Sequence, residues 1–149
     1  MRLSHDEAWK VIAAAHTGIL TTLRSDGVPV ALPVWFVTRD ERIYVRTPAR
    51  SKKVTRVLHD QRASFLVESG ERWAELEAVH LTGRVEIVDD VTLIETVAAE
   101  FDHKYAPFRT PRADMPAATR NHYEVAKATI RFVADDRIVS WDNRRLGLD

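Results

Sequence analysis

The chain contains no cysteine. That excludes a disulfide framework, a thiolate nucleophile and any cysteine-ligated metal site. It also has no net charge, since 22 Lys+Arg balance 22 Asp+Glu. A dedicated nucleic-acid binder usually carries a basic surplus, so no nucleic-acid partner is expected. No run approaches the roughly 20 apolar residues that cross a bilayer, so no membrane partner is expected either. The opening Met1-Arg-Leu-Ser-His-Asp-Glu7 lacks the apolar stretch of a secretory signal, and a cytoplasmic protein is the expectation. The five glycines are scattered, with no G-x-G-x-x-G and no G-x-x-x-x-G-K-[ST]. Dinucleotide turns and P-loops are thereby excluded. His5, His16, His59, His80, His103 and His122 fall in no metal-ligand spacing, so no metal is expected. There is no G-x-S-x-G elbow. Glu68, Glu71, Glu75 and Glu77 read as a solvated acidic face.

What is present suits one domain spanning 1–149, with 45% hydrophobic and 30% charged residues. Ser4 and Glu7 form a capping-box pattern ahead of a helix whose Ala8, Val11, Ile12 and Ala15 share a face. Gly18 to Arg24 reads as a strand and Ser25-Asp26-Gly27 as a hairpin turn. Pro29 to Val37 is the return strand, and its two prolines predict that part of it lies at an edge or over an opening. A turn over Thr38 to Glu41 leads to a third strand, Arg42 to Thr47. Arg62 to Glu68 is the fourth strand. Trp73 to Val88 is a fifth, with Gly83 marking a bulge or a close backbone approach. Asp89-Asp90 caps a helix carrying Val91, Ile94, Val97, Ala98 and Phe101 at helical spacing. Pro107, Pro111 and Pro116 predict an irregular loop, with a short helix at Ala117 to His122. The last strand starts at Ala126 and continues past a turn at Asp135-Asp136 to Ile138. Val139 to Gly147 is the tail. Strands at short spacing with inserted helices predict a mainly β (α+β) fold, a small six-stranded antiparallel barrel.

One stretch concentrates charge. Arg46, Arg50, Lys52, Lys53 and Arg56 fall within eleven residues, where the third strand breaks at Pro48 and a helix restarts near Ser51. Free N–H groups and the positive end of a helix dipole point the same way as these cations, which suits an anion. An isolated cluster of this kind is more often a solvated helix face. The tryptophans add to it. Trp9 belongs with the core of the first helix, but Trp35 lies in strand two, Trp73 in strand five and Trp141 in the tail. Indoles usually serve a core or an interface. Flat apolar walls beside a basic anchor are also what a broad cofactor ring with a phosphate tail requires.

Thr17-Gly-Ile-Leu-Thr-Thr-Leu23, Asp26-Gly27-x-Pro29, Ile43-Tyr-Val-Arg-Thr47 with Ser51-Lys-Lys53, and Arg62-Ala-Ser-Phe-Leu-Val67 follow one another in an order that resembles the pyridoxamine 5′-phosphate oxidase-like split β-barrel superfamily. The resemblance implies an FMN-binding split barrel and a homodimer with a flavin-type cofactor at the subunit interface. Ser51-x-Lys53 and the closing Ser140-Trp-Asp-Asn-Arg-Arg-Leu-Gly147 look most like the branch that uses the deazaflavin coenzyme F-420, with FMN as the alternative. By that resemblance Lys53 is the phosphate-binding lysine and Ser51 the hydroxyl beside it. Arg50 and Arg56 help with a longer anionic tail, and Thr47 and Pro48 line the ring's edge. Pro33 and Trp35 form a wall, and Trp73 and Trp141 come from the second subunit. The stretch Val30 to Phe36 lacks the basic residue that helps true pyridoxamine phosphate oxidases hold the flavin phosphate, and their longer C-terminal substrate segment is missing. Pyridoxal phosphate synthesis is therefore not expected. The implied activity is hydride transfer from a reduced deazaflavin to a small organic substrate. No acid–base residue stands out; Tyr44 or a bound water is the available proton donor. A non-catalytic carrier or sensor on the same barrel is the rival reading.

Overall fold

The computed structural model describes residues 1–147. Its strands are β1 (Gly18–Leu23), β2 (Pro29–Val34), β3 (Val37–Arg39), β4 (Arg42–Pro48), β5 (Arg62–Ser69), β6 (Glu77–Ile87) and β7 (Lys127–Asp142). Its helices are α1 (His5–Ala14), α2 (Lys52–His59), α3 (Val91–Tyr105) and α4 (Ala117–Tyr123). The strands form one sheet in the order β2-β1-β5-β6-β7-β4-β3, and every pairing is antiparallel. β2 and β3 are neighbours in the chain but lie at opposite edges of the sheet, with only Trp35 and Phe36 between them. A flat sheet of that many strands would be roughly 29 Å wide at about 4.8 Å per strand. Two residues cannot cross that distance. The sheet curls strongly into a half-barrel, which brings the end of β2 near the start of β3.

The side-chain alternation determines what fills it. Leu20, Ile43, Val45, Phe65, Leu81 and Phe132 point inward, and α1 plugs the interior with Ala8, Trp9 and Ile12. α3 covers the outer face, where Val97, Phe101 and Tyr105 pack against Val37, Tyr44 and Val88.

The sheet has seven strands where six were expected. The long return strand over Pro29 to Val37 divides at Trp35-Phe36, and its last part pairs with β4 at the other edge. The prolines do lie on an edge strand, β2. The fifth strand begins only at Glu77, and Trp73 sits before it in a 3-10 turn, Trp73–Glu75. β7 runs to Asp142 with no turn at Asp135-Asp136, so Trp141 is in a strand and not in the tail. The aspartates did signal an irregularity. The β6–β7 register shifts between Leu81 and Gly83, where β7 carries extra residues. There the Asp135 carboxylate accepts from Thr82 Oγ1 at 2.8 Å and from the Arg137 N–H at 2.7 Å. Val91 begins α3 facing solvent and does not join its apolar stripe.

The capping box of α1 forms. Ser4 Oγ accepts from the Glu7 N–H, and Glu7 Oε2 accepts from the Ser4 N–H at 2.7 Å. Arg145 also donates to Glu7, at 2.8 Å, fastening the C-terminal turn to the first helix. That guanidinium, followed by the Ser4 bonds, pulls the Glu7 carboxyl from its ordinary 4.5 down to about 2. A depressed carboxyl stabilises the fold above its unfolded value and loses that contribution as pH falls towards the folded one. The thermal midpoint should therefore drop between pH 4.5 and about 2 more steeply in the wild type than in Arg145→Gln. Circular dichroism melts across that window check this, and parallel curves would refute it.

Candidate functional site

β4 ends at Pro48 and the chain turns at once into α2. The Ser51 N–H donates to Pro48 O at 2.9 Å, and the Ala49 N–H donates to Ala126 O at 2.9 Å, holding the turn against the start of β7. Ser51 is the N-cap of α2, its Oγ accepting from the Val54 N–H at 3.4 Å. Thr47 is buried and points inward, with Oγ1 donating to Ser51 Oγ at 3.2 Å. Two hydroxyls therefore sit side by side at the start of a helix whose first N–H groups have no intrahelical acceptor.

The first turn of α2 contains no acidic residue and begins instead with Lys52 and Lys53. The helix dipole disfavours cations there. Lys53 is partly buried, and its ammonium is held below the usual lysine value by burial and then by the charge of Arg56. Arg56 reaches across to β1, where its Nε donates to Thr22 Oγ1 at 2.8 Å. Thr22 was not among the residues singled out from the sequence. The available signal was its alternation with Leu20, which puts a polar group at an inward position of β1. Arg50 is exposed on the turn, and Pro48 pairs with Lys127 at the end of the β4 ladder.

The remaining candidates lie elsewhere on the chain. Pro33 is exposed on the edge strand opposite Ile19, at the end of the β1–β2 hairpin away from Thr22. Trp35 occupies the break between β2 and β3, with one ring face stacked on Tyr105 at 4.3 Å and 4°. His16 stands edge-on to both rings. The break is latched by α3. The Phe36 N–H donates to the Tyr105 hydroxyl at 2.8 Å, and Lys104 Nζ donates to Phe36 O at 2.8 Å and Ala15 O at 2.9 Å. Burial pushes the Tyr105 phenol up to about 12 and pulls the Lys104 ammonium down to about 8. Trp73 and Trp141 belong to the far end of the β6–β7 ladder, where Trp141 faces Ala78 and Asn143 Nδ2 donates to Trp73 O. Neither shares the Lys53 corner within the chain. Tyr44 is buried under α3 beside Arg131, on the sheet face opposite Thr47, so it is not a proton donor for the corner.

The corner thus gathers Thr47, Ser51, Lys53 and Arg56, with Arg50 on its rim. These are hydroxyls and cations around the N-terminus of a helix, a donor-rich set that fits a phosphate. Among the described residues, His5, Asp6 and Glu41 have ligand atoms within 4.8 Å of one another. All three are exposed, and a His5–Glu41 bond of 2.9 Å accounts for their closeness.

The family model described as pyridoxamine 5′-phosphate oxidase matches residues 4–134. Among solved structures, a conserved hypothetical protein from Mycobacterium tuberculosis is 29% identical with a TM-score of 0.84, covering 100% of this chain and 91% of its own. A FAD-binding protein from Mesorhizobium loti is 18% identical with a TM-score of 0.70, covering 93% of this chain and 94% of its own. The heme storage protein HutZ from Vibrio cholerae is 14% identical with a TM-score of 0.70, again covering 93% and 94%. The last two show likeness of fold alone. A comparison with curated proteins finds no match. Among the described residues no helix is long and apolar enough to cross a membrane.

Proposed function

The chain belongs to the pyridoxamine 5′-phosphate oxidase family, and from that premise we propose that it is an oxidoreductase using a flavin-type cofactor, the deazaflavin F-420 ahead of FMN, to reduce a small organic substrate. The observation that carries this reading is the start of α2. Lys52 and Lys53 stand where the helix dipole opposes them, Lys53 is partly desolvated, and the Ser51 and Thr47 hydroxyls lie alongside. A phosphate or similar acidic tail compensates all of these at once. Lys53, Ser51 and the first N–H groups of α2 hold that tail, Arg50 and Arg56 extend the grip, and Thr47 and Pro48 edge the ring. Bound there, such a cofactor supplies two-electron hydride transfer, while the chain supplies placement and charge.

The same reading makes the protein a homodimer with the cofactor between subunits. Trp73, Val139 and Trp141 stay 61%, 55% and 39% exposed, a patch of apolar surface that a twofold partner would cover. Trp73 and Trp141 then reach the corner of the other subunit. Fluorescence titration should give micromolar F-420 binding, tighter than FMN. Lys53→Ala should weaken it roughly tenfold to a hundredfold, as expected for a lost charge-assisted contact. Light scattering on the same samples should return twice the single-chain mass. If neither cofactor binds at micromolar concentration, the proposal fails.

A carrier without catalysis is the second reading. It is favoured by the corner's own chemistry, since its hydroxyls and cations bind anions and none is a poised general acid. Mixing the reduced cofactor with quinones, unsaturated ketones or tetrapyrroles separates the two, and turnover of any of them eliminates the carrier.

A further inference from the structure

We propose that Arg46, Lys127 and Arg112 form a second anion site, on the outer face of the sheet beneath the proline-rich segment, that takes the carboxylate or phosphate group of a small molecule. The alternation of β4 separates it from the Lys53 corner. Ile43 and Val45 face the barrel core and Thr47 faces Ser51, whereas Tyr44 and Arg46 face outward. Arg46 pairs with Thr129 and Pro48 with Lys127, so Arg46 and Lys127 share the outer face one diagonal step apart. Long side chains reach one another at that spacing.

The strongest sign is an unmet donor. Among the described residues, Arg46 Nε is a buried side-chain nitrogen with no hydrogen-bond partner. Buried donors are nearly always satisfied, and leaving a charged one unmet is costly. Two further cations lie nearby. Arg112, in the 3-10 turn Arg112–Asp114, and Arg46 both press on the Lys127 ammonium, which burial and then these two charges hold below the usual lysine value. Arg112 has an acid partner in Glu124 at 3.5 Å, but both side chains are more than half exposed. A pair of that kind is weak and yields readily to a better one. Like charges gathered around an unsatisfied guanidinium N–H are the arrangement an oxyanion relieves, with Arg46 offering a planar fork and Lys127 a point charge.

The test is an NMR titration of the arginine Nε–H signals with inorganic phosphate, with malonate, and with sodium chloride at matched ionic strength. The Arg46 Nε–H signal should move saturably with phosphate or malonate, and the tighter of the two identifies the acid group. Read at the Arg112 Nε–H signal in the variants at position 46, which lack a guanidinium there, Arg46→Gln should weaken that binding by about tenfold or more. Lys127→Gln should weaken it less, and Lys53→Ala should leave it unchanged. Arg46→Lys keeps the charge without the fork and serves if the glutamine variant does not fold; it should also bind more weakly than wild type. An unmoved Arg46 signal, an equal response to chloride, or binding lost in Lys53→Ala but kept in Arg46→Gln would each overturn the proposal. Because Lys53 and Arg46 are scored separately, failure here is distinguishable from failure of the cofactor reading.

Discussion

Replacing Gly83 by valine is expected to leave little folded protein, and Gly83→Ala is expected to cost at least about 3 kcal/mol, the upper range of overpacking penalties. A β-carbon at this position would lie 2.1 Å from Val133 O, and 2.9 Å from both the Val133 carbonyl carbon and the Ala134 Cα. All three atoms are backbone of β7, which is itself paired on its other side with β4, Val133 facing Arg42. Relieving the clash therefore means shifting two ladders, not one side chain. At roughly 2–4 °C per kcal/mol for a chain of this size, the alanine variant should melt about 6–12 °C lower. Gly27 is the control. Its φ of +83° strains any other residue, but no atom lies within 4 Å of the added carbon, so Gly27→Ala should cost only about 1–2 kcal/mol. Equal melting temperatures for the two alanine variants would refute the steric argument.

Tyr105→Phe should cost about 2–3 kcal/mol, although it removes a single oxygen. That oxygen accepts from the Phe36 N–H and lies 2.8 Å from His16 O and 2.9 Å from Phe36 O. The Phe36 N–H sits where the chain leaves one edge strand for the other, so the phenol stands in for a ladder partner. Without it a buried donor is stranded. Lys104 still holds Phe36 O, so the fold should survive with a loosened seam. Amide exchange at Phe36 should accelerate by about thirtyfold or more, the factor corresponding to 2 kcal/mol. Unchanged exchange at that amide would show that the hydroxyl is not its protector.

These two sites also mark how far the sequence could be read. The capping box of Ser4 and Glu7, the edge position of Pro29 and Pro33, the bulge at Gly83 and the helix start near Ser51 were legible because each depends on residues within a few positions of one another. The contact of Arg56 with Thr22 was not, since it joins α2 to a strand thirty-four residues earlier. Nor was the latch of Tyr105 on Phe36, across sixty-nine residues. The strand count went astray for the same reason. Pro29 to Val37 is continuous in pattern, and only a long-range partner shows that Trp35-Phe36 is a crossing point. In the Lys53 corner, residue types and helix start were readable, whereas the burial of Lys53 and the unmet donor of Arg46 on the opposite face were not.

The two-residue crossing at Trp35-Phe36 has a kinetic consequence. A seam held only by noncovalent contacts can open and find an edge on another molecule. Here the two edges stay tethered by the shortest of loops, so re-closure costs almost no chain entropy and the edges remain at high effective concentration for one another. Strand exchange between molecules is outcompeted at its first step, and Pro29 and Pro33 leave the exposed β2 edge a poor template for what remains.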